Sequence, residues 1–430
     1  MTTVTSGSSR SIRLVAAASL IGTTIEWYDF FLYNTAAALV INKLFFPTFD
    51  PIAGTMAAFG TYAVGFAARP IGGIVVGHYG DKVGRKSMLV FTLVIMGIAT
   101  SLIGLLPTYE SIGPWAAVLL IILRLVQGFG VGGEWGGAVL MAVEHAPPGQ
   151  RGFYGSWPQI GVPAGLLTST IVFTLFSRLP PDQFLAWGWR VPFLISIVLV
   201  GVGLMIRLRI METPAFQKMK SERSHEARQP IIEVLKTHPK EVLQAAGARC
   251  AENGSFYIYS AFTLVYATQH SHIDRSVALN GIMLASACEF IAIPAYGALS
   301  DRIGRKPVYM FGAVMTAILA YPLFWLFDTG STALATLALL LTFLCSHAPM
   351  YAPQGAFFSE LFGTSVRYSG ASLGAQLSAA VAGGFSPLIA TFLLPRYGRS
   401  AIALYIIFMA CITIVAVISA AETLRRDIET

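Results

Sequence analysis

Apolar runs of about twenty residues follow one another along almost the whole of this sequence, a length that as a helix crosses the hydrocarbon of a bilayer. A membrane barrel would instead show segments of about 10 residues with alternating polarity. Here the runs are long and rarely alternate. Backbone groups in lipid need internal partners, so runs of this kind specify helices. Only 12% of the residues are charged, against about 25% in a soluble domain.

Twelve spans are expected, near 13–40, 54–78, 87–106, 114–142, 155–178, 189–209, 241–268, 276–299, 307–327, 332–356, 366–394 and 399–421. The even number puts both termini on one side. If that side is the cytoplasm, twenty Lys and Arg lie on it and six on the other, with Arg69, Arg124 and Arg249 inside spans. This bias is the one that orients membrane proteins, so both termini are expected to be cytoplasmic. The net charge of +7 follows from these short basic loops and points to a membrane rather than to nucleic acid. Cys250, Cys288, Cys345 and Cys411 are far apart and show no CxxC or Cys/His cluster. They read as free, buried thiols, and no metal site is expected. The first apolar run continues into a full span, which argues against a signal peptide.

Residues 210–240 are polar and charged, and they divide the chain into six spans (1–209) and six spans (241–430) around a cytoplasmic linker. An internal repeat supports the division. GHYGDKVGRK (Gly77 to Lys86) and GALSDRIGRK (Gly297 to Lys306) share five of ten positions at an offset of 220. Glu144 and Arg151 recur as Glu360 and Arg367 at an offset of 216. The expected fold is therefore an all-α integral membrane protein of two pseudo-symmetric six-helix bundles. Parallel repeats of this kind are a transporter architecture, with a substrate site near the midplane between them.

The paired G-x-x-x-D-[RK]-x-G-R-K loops resemble the signature of the major facilitator superfamily, and the resemblance covers the whole chain. Arg124 to Gly128 (RLVQG) resembles the RxxQG element of its proton-coupled members. IEWYDFFLY at 25–33, RPIGG at 69–73, RLVQGFGVGGEWGGA at 124–138, WGWRVPF at 187–193, AENGSFYIY at 251–259, FFSELFG at 357–363 and VRYSGASLG at 366–374 resemble the metabolite:proton symporters. That subfamily holds the shikimate, 2-oxoglutarate, citrate and proline/betaine permeases, and residues 36–73 look most like the shikimate branch. The resemblance implies a bacterial inner-membrane symporter that imports a small organic acid or zwitterion with protons. It implies no other cofactor, and the chain is expected to act as a monomer. Proton-driven export of drugs is the alternative. A sensor would need a large soluble domain, and no nucleophile or metal-ligand motif supports an enzyme.

Ionisable side chains within spans are costly, about 2.5–3.5 kcal/mol at the centre on insertion scales, and so mark candidate sites. Glu26 and Asp29 share a helix face in the first span, where two carboxylates in a dry cleft would not both ionise easily. Glu134, within the small-residue stretch GVGGEWGGA, is a further proton candidate. Arg124 cannot shed its proton, so it must face a carboxylate, a carbonyl or an anionic substrate. Gln127 lies on the same face, positioned for a substrate hydroxyl. Arg249, Glu252, Asn253 and Tyr257 form one polar stripe on the seventh span, and Glu252, Asn253 and Tyr257 are candidates for substrate contact. Glu289 is a buried acid in the eighth. Trp27, Tyr28, Tyr33 and Trp135 can stack on a ring or pack the core. Trp187 and Trp189 read as interfacial anchors. The loop motifs read as a gate: Asp81 and Asp301 face helix N-termini of the opposite half, and Arg85 and Arg305 bridge to Glu144 and Glu360 beside Arg151 and Arg367.

Overall fold

The computed structural model describes residues 7–83, 85–132, 135–144, 146–147, 149–209, 234, 236–362 and 367–424. Among these residues every regular element is a helix. Eight stretches are long and apolar enough to cross a membrane. The last of them, Gly370–Ser419, is 50 residues long, more than twice what one crossing takes (about 20). It breaks at Gly398, whose φ of 71° is not helical, and so makes two crossings. Gly7–Ala36, Arg85–Leu105 and Pro239–Tyr257 supply the others among the described residues, giving twelve. The first and last of these three are less apolar because they carry interior polar groups: Glu26 and Asp29 on one, Arg249, Glu252 and Asn253 on the other.

The helices are α1 (Gly7–Ala36, continued by the π-turn Ala37–Ile41 and Asn42–Phe45), α2 (Pro51–Ala67 and Arg69–Val83) and α3 (Arg85–Leu105). Then come α4 (Trp115–Gly132 and Trp135–Glu144), α5 (Arg151–Gly155 and Trp157–Ser177) and α6 (Arg190–Arg209). The second half holds α7 (Pro239–Tyr257, continued by Ile258–Phe262, Thr263–Val265 and Tyr266–His270), α8 (Arg275–Ile303) and α9 (Arg305–Asp328). It ends with α10 (Thr332–Leu341, the π-turn Thr342–His347, Ala348–Tyr351 and Gln354–Leu361), α11 (Arg367–Ser378, Ala379–Gly383 and residues 386–397) and α12 (399–419). The π-turns of α1 and α7 begin at Ala37 and Ile258, 221 residues apart, close to the offset of the loop motifs. Most of the charged segment 210–240 lies outside the described residues.

Local chemistry sets the helix starts. Asp50 caps α2, accepting from the N–H of Ile52 and Ala53 at 3.0 Å each, with Pro51 in the first turn. Gly304 between α8 and α9 sits at φ 110°, a conformation open to glycine alone, which is why the loop motif carries glycine there.

Within the first half α1 packs on α5, α3 on α6 and α2 on α4; in the second, α7 packs on α11 and α12, and α8 on α10. The α2–α4 contact is backbone to backbone. A Cβ on Gly128 would strike the Gly65 carbonyl, and one on Gly132 the Arg69 carbonyl. The glycines of RLVQGFGVGG therefore serve close helix approach. The halves meet where α5 touches α8 and α2 touches α11. Ile197, Ile291, Val381 and Val415 point outward and are exposed, as a lipid-facing surface requires.

Two sequence expectations are corrected here. Trp187 is exposed, but Trp189 is fully buried between Phe45 and Phe193, so it packs the core and does not anchor the interface. The cysteines are free, but Cys411 is exposed and the other three are half-buried, because they sit on helix faces turned partly outward.

Candidate functional site

The interior of the bundle gathers aromatic and charged side chains from both halves. Phe30 and Phe31 of α1 and Tyr62 and Phe66 of α2 meet Phe256 and Tyr257 of α7, with Tyr257 5.0 Å from Phe66 and 5.8 Å from Tyr62 between ring centroids. Tyr33 stacks on Tyr62 and its hydroxyl contacts that of Thr61. Gly383 and Gly384 of α11 close against Phe66 and Tyr257.

Two arginines of the first half lie in this aromatic cluster. The Arg69 guanidinium is 3.8 Å from the Phe66 ring centroid and 4.3 Å from Phe30, and it lies beside Tyr257. The Arg124 guanidinium is 3.9 Å from Tyr33, 5.4 Å from Tyr62 and 5.3 Å from Phe30. Sharing the Phe30 ring at 4.3 and 5.3 Å, the two cations are at most 9.6 Å apart. Arg69 is 3% exposed and Arg124 0%, yet Nε and Nη2 of each lack a hydrogen-bond partner. Among the described residues no carboxylate pairs with either. Tyr62 Oη and both amide atoms of buried Asn34 are unpartnered as well. An unsatisfied buried polar group costs about 1–3 kcal/mol, more when charged, so these donors are left with bonding capacity that an anion could use.

Arg124 does not pair with Glu26 or Asp29, the structural pairing that the sequence left open. Instead its Nη1 donates to Gln127 Oε1 at 2.5 Å, and Gln127 Nε2 donates to Thr100 at 2.6 Å. Both ends of Gln127 are thereby engaged: it holds Arg124 in place rather than presenting a free amide to substrate. Asp29 lies beside Thr100 and Ser196, where α1 packs against α3 and α6, so it is linked to Arg124 only through Thr100 and Gln127; it is 1% exposed and Oδ1 has no partner. Glu26 is also buried. Glu134 lies outside the described residues. Tyr28 and Trp135 serve packing: Tyr28 donates to the Pro192 carbonyl at 2.8 Å, and Trp135 Nε1 to Gln159 at 3.0 Å.

In the second half Glu252 is the centre of a network. It accepts from Arg249 at 3.0 Å and from Gln354 Nε2 at 3.0 Å, and Asn253 Nδ2 is 3.4 Å from it. Gln354 also donates to Tyr309 Oη at 3.0 Å. His347 stands between Glu252 and Glu289. The polar stripe on α7 is thus turned inward, but Glu252 is neutralised from several sides and does not present a bare carboxylate. His347, Gln354 and Tyr62 are site residues that sequence reasoning missed. Single His, Gln or Tyr residues within apolar runs form no motif, and only the packing of α7, α8 and α10 brings His347 to its carboxylates.

At the end of the bundle that carries the loop motifs, the halves are locked together. Asp301 accepts from the N–H of Gly152 and of Phe153 at 2.8 Å each, across the interface to the start of α5. Arg305 donates to Asp301 at 2.7 Å, to Ser300 at 2.8 Å and to Glu360 at 3.2 and 3.3 Å. Glu422 closes the network behind them, accepting from the N–H of Arg305 and Lys306 at 3.0 Å each. Gln159 Nε2 reaches the Tyr351 carbonyl at 3.2 Å, and Gln376 Nε2 the Gly132 carbonyl at 2.9 Å, so further bonds cross the interface. Glu144 ends α4 and Arg151 begins α5, and both are engaged by other groups. The side chains of Asp81, Arg85 and Arg367 lie outside the described residues. At the opposite end a cavity of about 1100 Å³ lies between the halves, with Lys43, His270 and Arg275 among its walls.

The profile of the Sugar (and other) transporter family matches residues 14–249 and 242–430. The chain belongs to that family. It is therefore a membrane transporter with a duplicated six-helix architecture, not an enzyme. The shikimate transporter of Escherichia coli (strain K12) is 42% identical over 399 residues, 92% of this chain and 91% of that one. The inner membrane metabolite transport protein YhjE of the same organism is 39% identical and covers 96% of this chain and 95% of its own. The major facilitator proton:xylose symporter XylE superposes with a TM-score of 0.75 at 17% identity, covering 98% of each chain, which establishes the major facilitator fold. The resemblance read from the loop motifs is thus the family found.

Proposed function

We propose that this transporter imports a small organic carboxylate, shikimate-like in size, together with protons across a bacterial inner membrane. The motif-bearing end faces the cytoplasm. The observation that carries the reading is the pair of buried guanidiniums, Arg69 and Arg124, with unused donors and no carboxylate partner among the described residues. A planar carboxylate fits a guanidinium fork bidentately, and Tyr62, whose hydroxyl is unpartnered, lies beside both guanidiniums to meet a ring substituent. Asn253 stands close to Tyr257 through Gly383.

Asp29 supplies the proton site. A buried carboxyl with an unpartnered oxygen is stabilised by protonation. An inward proton contributes about 2.3 kcal/mol per 100 mV and about 1.4 kcal/mol per pH unit, enough to concentrate a solute many-fold. The names of its relatives, a shikimate transporter and a metabolite transport protein, agree with a small metabolite. Export of lipophilic cations suits this interior poorly, because two unpaired cations would repel them.

The geometry supports alternating access. Here the motif end is shut by bonds of Asp301, Gln159 and Gln376 across the halves, while the cavity lies at the other end. Rocking of one half on the other would break these bonds and expose the site inward. The test is uptake by energised right-side-out vesicles, negative and alkaline inside, of labelled shikimate, aromatic acids, di- and tricarboxylates and betaines. A carboxylate should accumulate and leak out when a protonophore is added. Accumulation indifferent to the protonophore would sink the proton-coupled reading.

A further inference from the structure

The anion pocket does not account for one group of buried side chains in the second half. His347 on α10 places Nδ1 against Glu289 Oε1 of α8, and its Nε2 is 3.3 Å from Glu252 Oε1 of α7. Glu252 in turn pairs with Arg249 at 3.0 Å. All four are at most 5% exposed, and Glu289 Oε2 has no partner. The imidazole is held between the rings of Phe256, at 4.1 Å, and Tyr351, at 5.0 Å. The other titratable or charged groups around it are Tyr257 on α7, Tyr309 on α9 and Tyr351 on α10. Arg69 approaches from the first half towards Arg249.

The hydrogen-bond count decides what this cluster holds. A neutral imidazole has one N–H and one lone pair, whereas ionised carboxylates only accept. With both ring nitrogens facing carboxylates, a neutral His347 between two ionised glutamates would set a lone pair against a carboxylate oxygen. One more proton, on the ring or on the carboxyl it faces, satisfies the arrangement. Arg249, Glu252, Glu289 and neutral His347 sum to one net negative charge, and that proton brings the sum to zero. In a site without water, this difference matters far more than at a surface.

The cluster also touches the moving interface. The Arg249 guanidinium lies 4.8 Å from the ring of Trp135 on α4, and Tyr257, two turns along α7 from Arg249, packs on Phe66 and Tyr62. We propose that His347, Glu289 and Glu252 form a second proton-binding site, distinct from Asp29, whose occupancy decides whether Arg249 holds Glu252 or is released to a substrate carboxylate. This rests on the proton-coupled reading above. The proton comes from water when the site opens and binds the imidazole lone pair; no other covalent bond forms or breaks. The imidazolium then bridges both glutamates and Gln354 keeps its bond to Glu252, so Arg249, still bonded to Glu252 in this arrangement, is held weakly enough for a substrate carboxylate to take it. Loss of the proton returns Arg249 to Glu252 and expels the substrate.

The test uses the full chain in proteoliposomes with the carboxylate identified by the uptake screen. Glu289→Gln, which matches the proton-loaded cluster in charge, should keep exchange of internal for external substrate, which needs no net proton movement, whereas His347→Gln, which cannot take the proton, should bind substrate more weakly. Gradient-driven accumulation should fall about tenfold or more, the equivalent of removing one pH unit of coupling. Substrate affinity, which in the parent should vary with pH, should become flat. In the unmodified protein, substrate added to weakly buffered detergent solution should take up protons, a readout that needs no variant. Unchanged accumulation and an unchanged pH profile in both variants would overturn the proposal while leaving proton coupling intact. So would joint loss of exchange and binding in Glu289→Gln, which would make these residues structural. Parent accumulation that ignores a protonophore would instead remove the reading on which the proposal stands.

Discussion

The Arg124 guanidinium lies over the ring of Tyr33, 3.9 Å from its centroid, and is held there by Gln127 rather than by an acid. A planar cation fixed on one side by an aromatic face and an amide keeps its remaining donors for a ligand. Arg124→Lys retains the charge but loses the fork and the stacking, so affinity for the carboxylate should fall about tenfold to a hundredfold, or roughly 1.4–3 kcal/mol. Gln127→Ala should weaken binding less, by loosening Arg124. Equilibrium binding of the labelled substrate to purified protein measures both. An unchanged dissociation constant in Arg124→Lys would remove Arg124 from the anion site.

Much of this organisation is legible in the sequence, and the reasons differ by element. Helix number and the doubled motif follow from apolar length and from the identity of Asp81 with Asp301, because lipid permits little else. The contacts of Asp301 and Arg305 were readable too, since a carboxylate at a helix end and a nearby arginine have few partners. The interior was less so. Arg124 could have been paired with Asp29 on charge alone, but Gln127 and Thr100 stand between them: Gln127 takes Arg124 Nη1 and donates to Thr100, the residue beside Asp29. His347 was invisible because its meaning comes from Glu252 and Glu289, 95 and 58 residues away. Burial of Trp189 depends on Phe45 of a distant helix in the same way.

Asp301 is the bond between the halves at the motif end, accepting from two backbone N–H groups of α5. Asp301→Asn keeps the size but can accept at only one oxygen and carries no charge. The closed state should lose about 1.5–3 kcal/mol, the worth of hydrogen bonds to a charged group. The population open at that end should rise accordingly. Labelling of a cysteine placed in the central cavity from the motif side, compared with the parent, reads the shift. Equal labelling rates would show that Asp301 does not hold the gate.

Arg305 and Glu360 form a pair that is almost wholly excluded from solvent, with side-chain exposures of 1% and 0%. Removing one member leaves the other charge buried. Arg305→Ala should therefore destabilise the folded protein by about 3–5 kcal/mol, whereas changing the pair together to apolar residues should cost much less. Thermal unfolding of the single and double variants in detergent distinguishes the two. A single variant as stable as the parent would mean that water reaches Glu360.

Glu422, beyond the end of α12, ties the chain to the start of α9. Partial burial pushes its carboxyl up, but bonds from the N–H of Arg305, Leu424, Lys306 and Thr423 outweigh this and hold it below the usual glutamate range. A carboxyl lowered in the folded state binds fewer protons there than when unfolded. Its stabilisation is complete above the ordinary glutamate pKa and disappears as the pH falls through the lowered folded value. Acidification through and below the ordinary glutamate range should release the strap over α9. Glu422→Gln should begin less stable at neutral pH and lose less on acidification. Protease cleavage after Ser419, followed against pH in both proteins, measures this. Parallel profiles would place the acid sensitivity elsewhere.

Asp29 is 1% exposed, with one carboxyl oxygen unpartnered. Asp29→Asn mimics the protonated carboxyl in shape and charge, so folding should be preserved and the step that releases the proton abolished. Exchange of substrate across the membrane should continue at a rate within a few-fold of the parent. Uphill accumulation should collapse, because the change removes the stage at which about 2.3 kcal/mol per 100 mV enters the cycle. Exchange and accumulation assayed in the same vesicles separate the two effects. If Asp29→Asn still concentrates substrate on a proton gradient, the coupling proton binds elsewhere, and the His347 cluster becomes the first place to look.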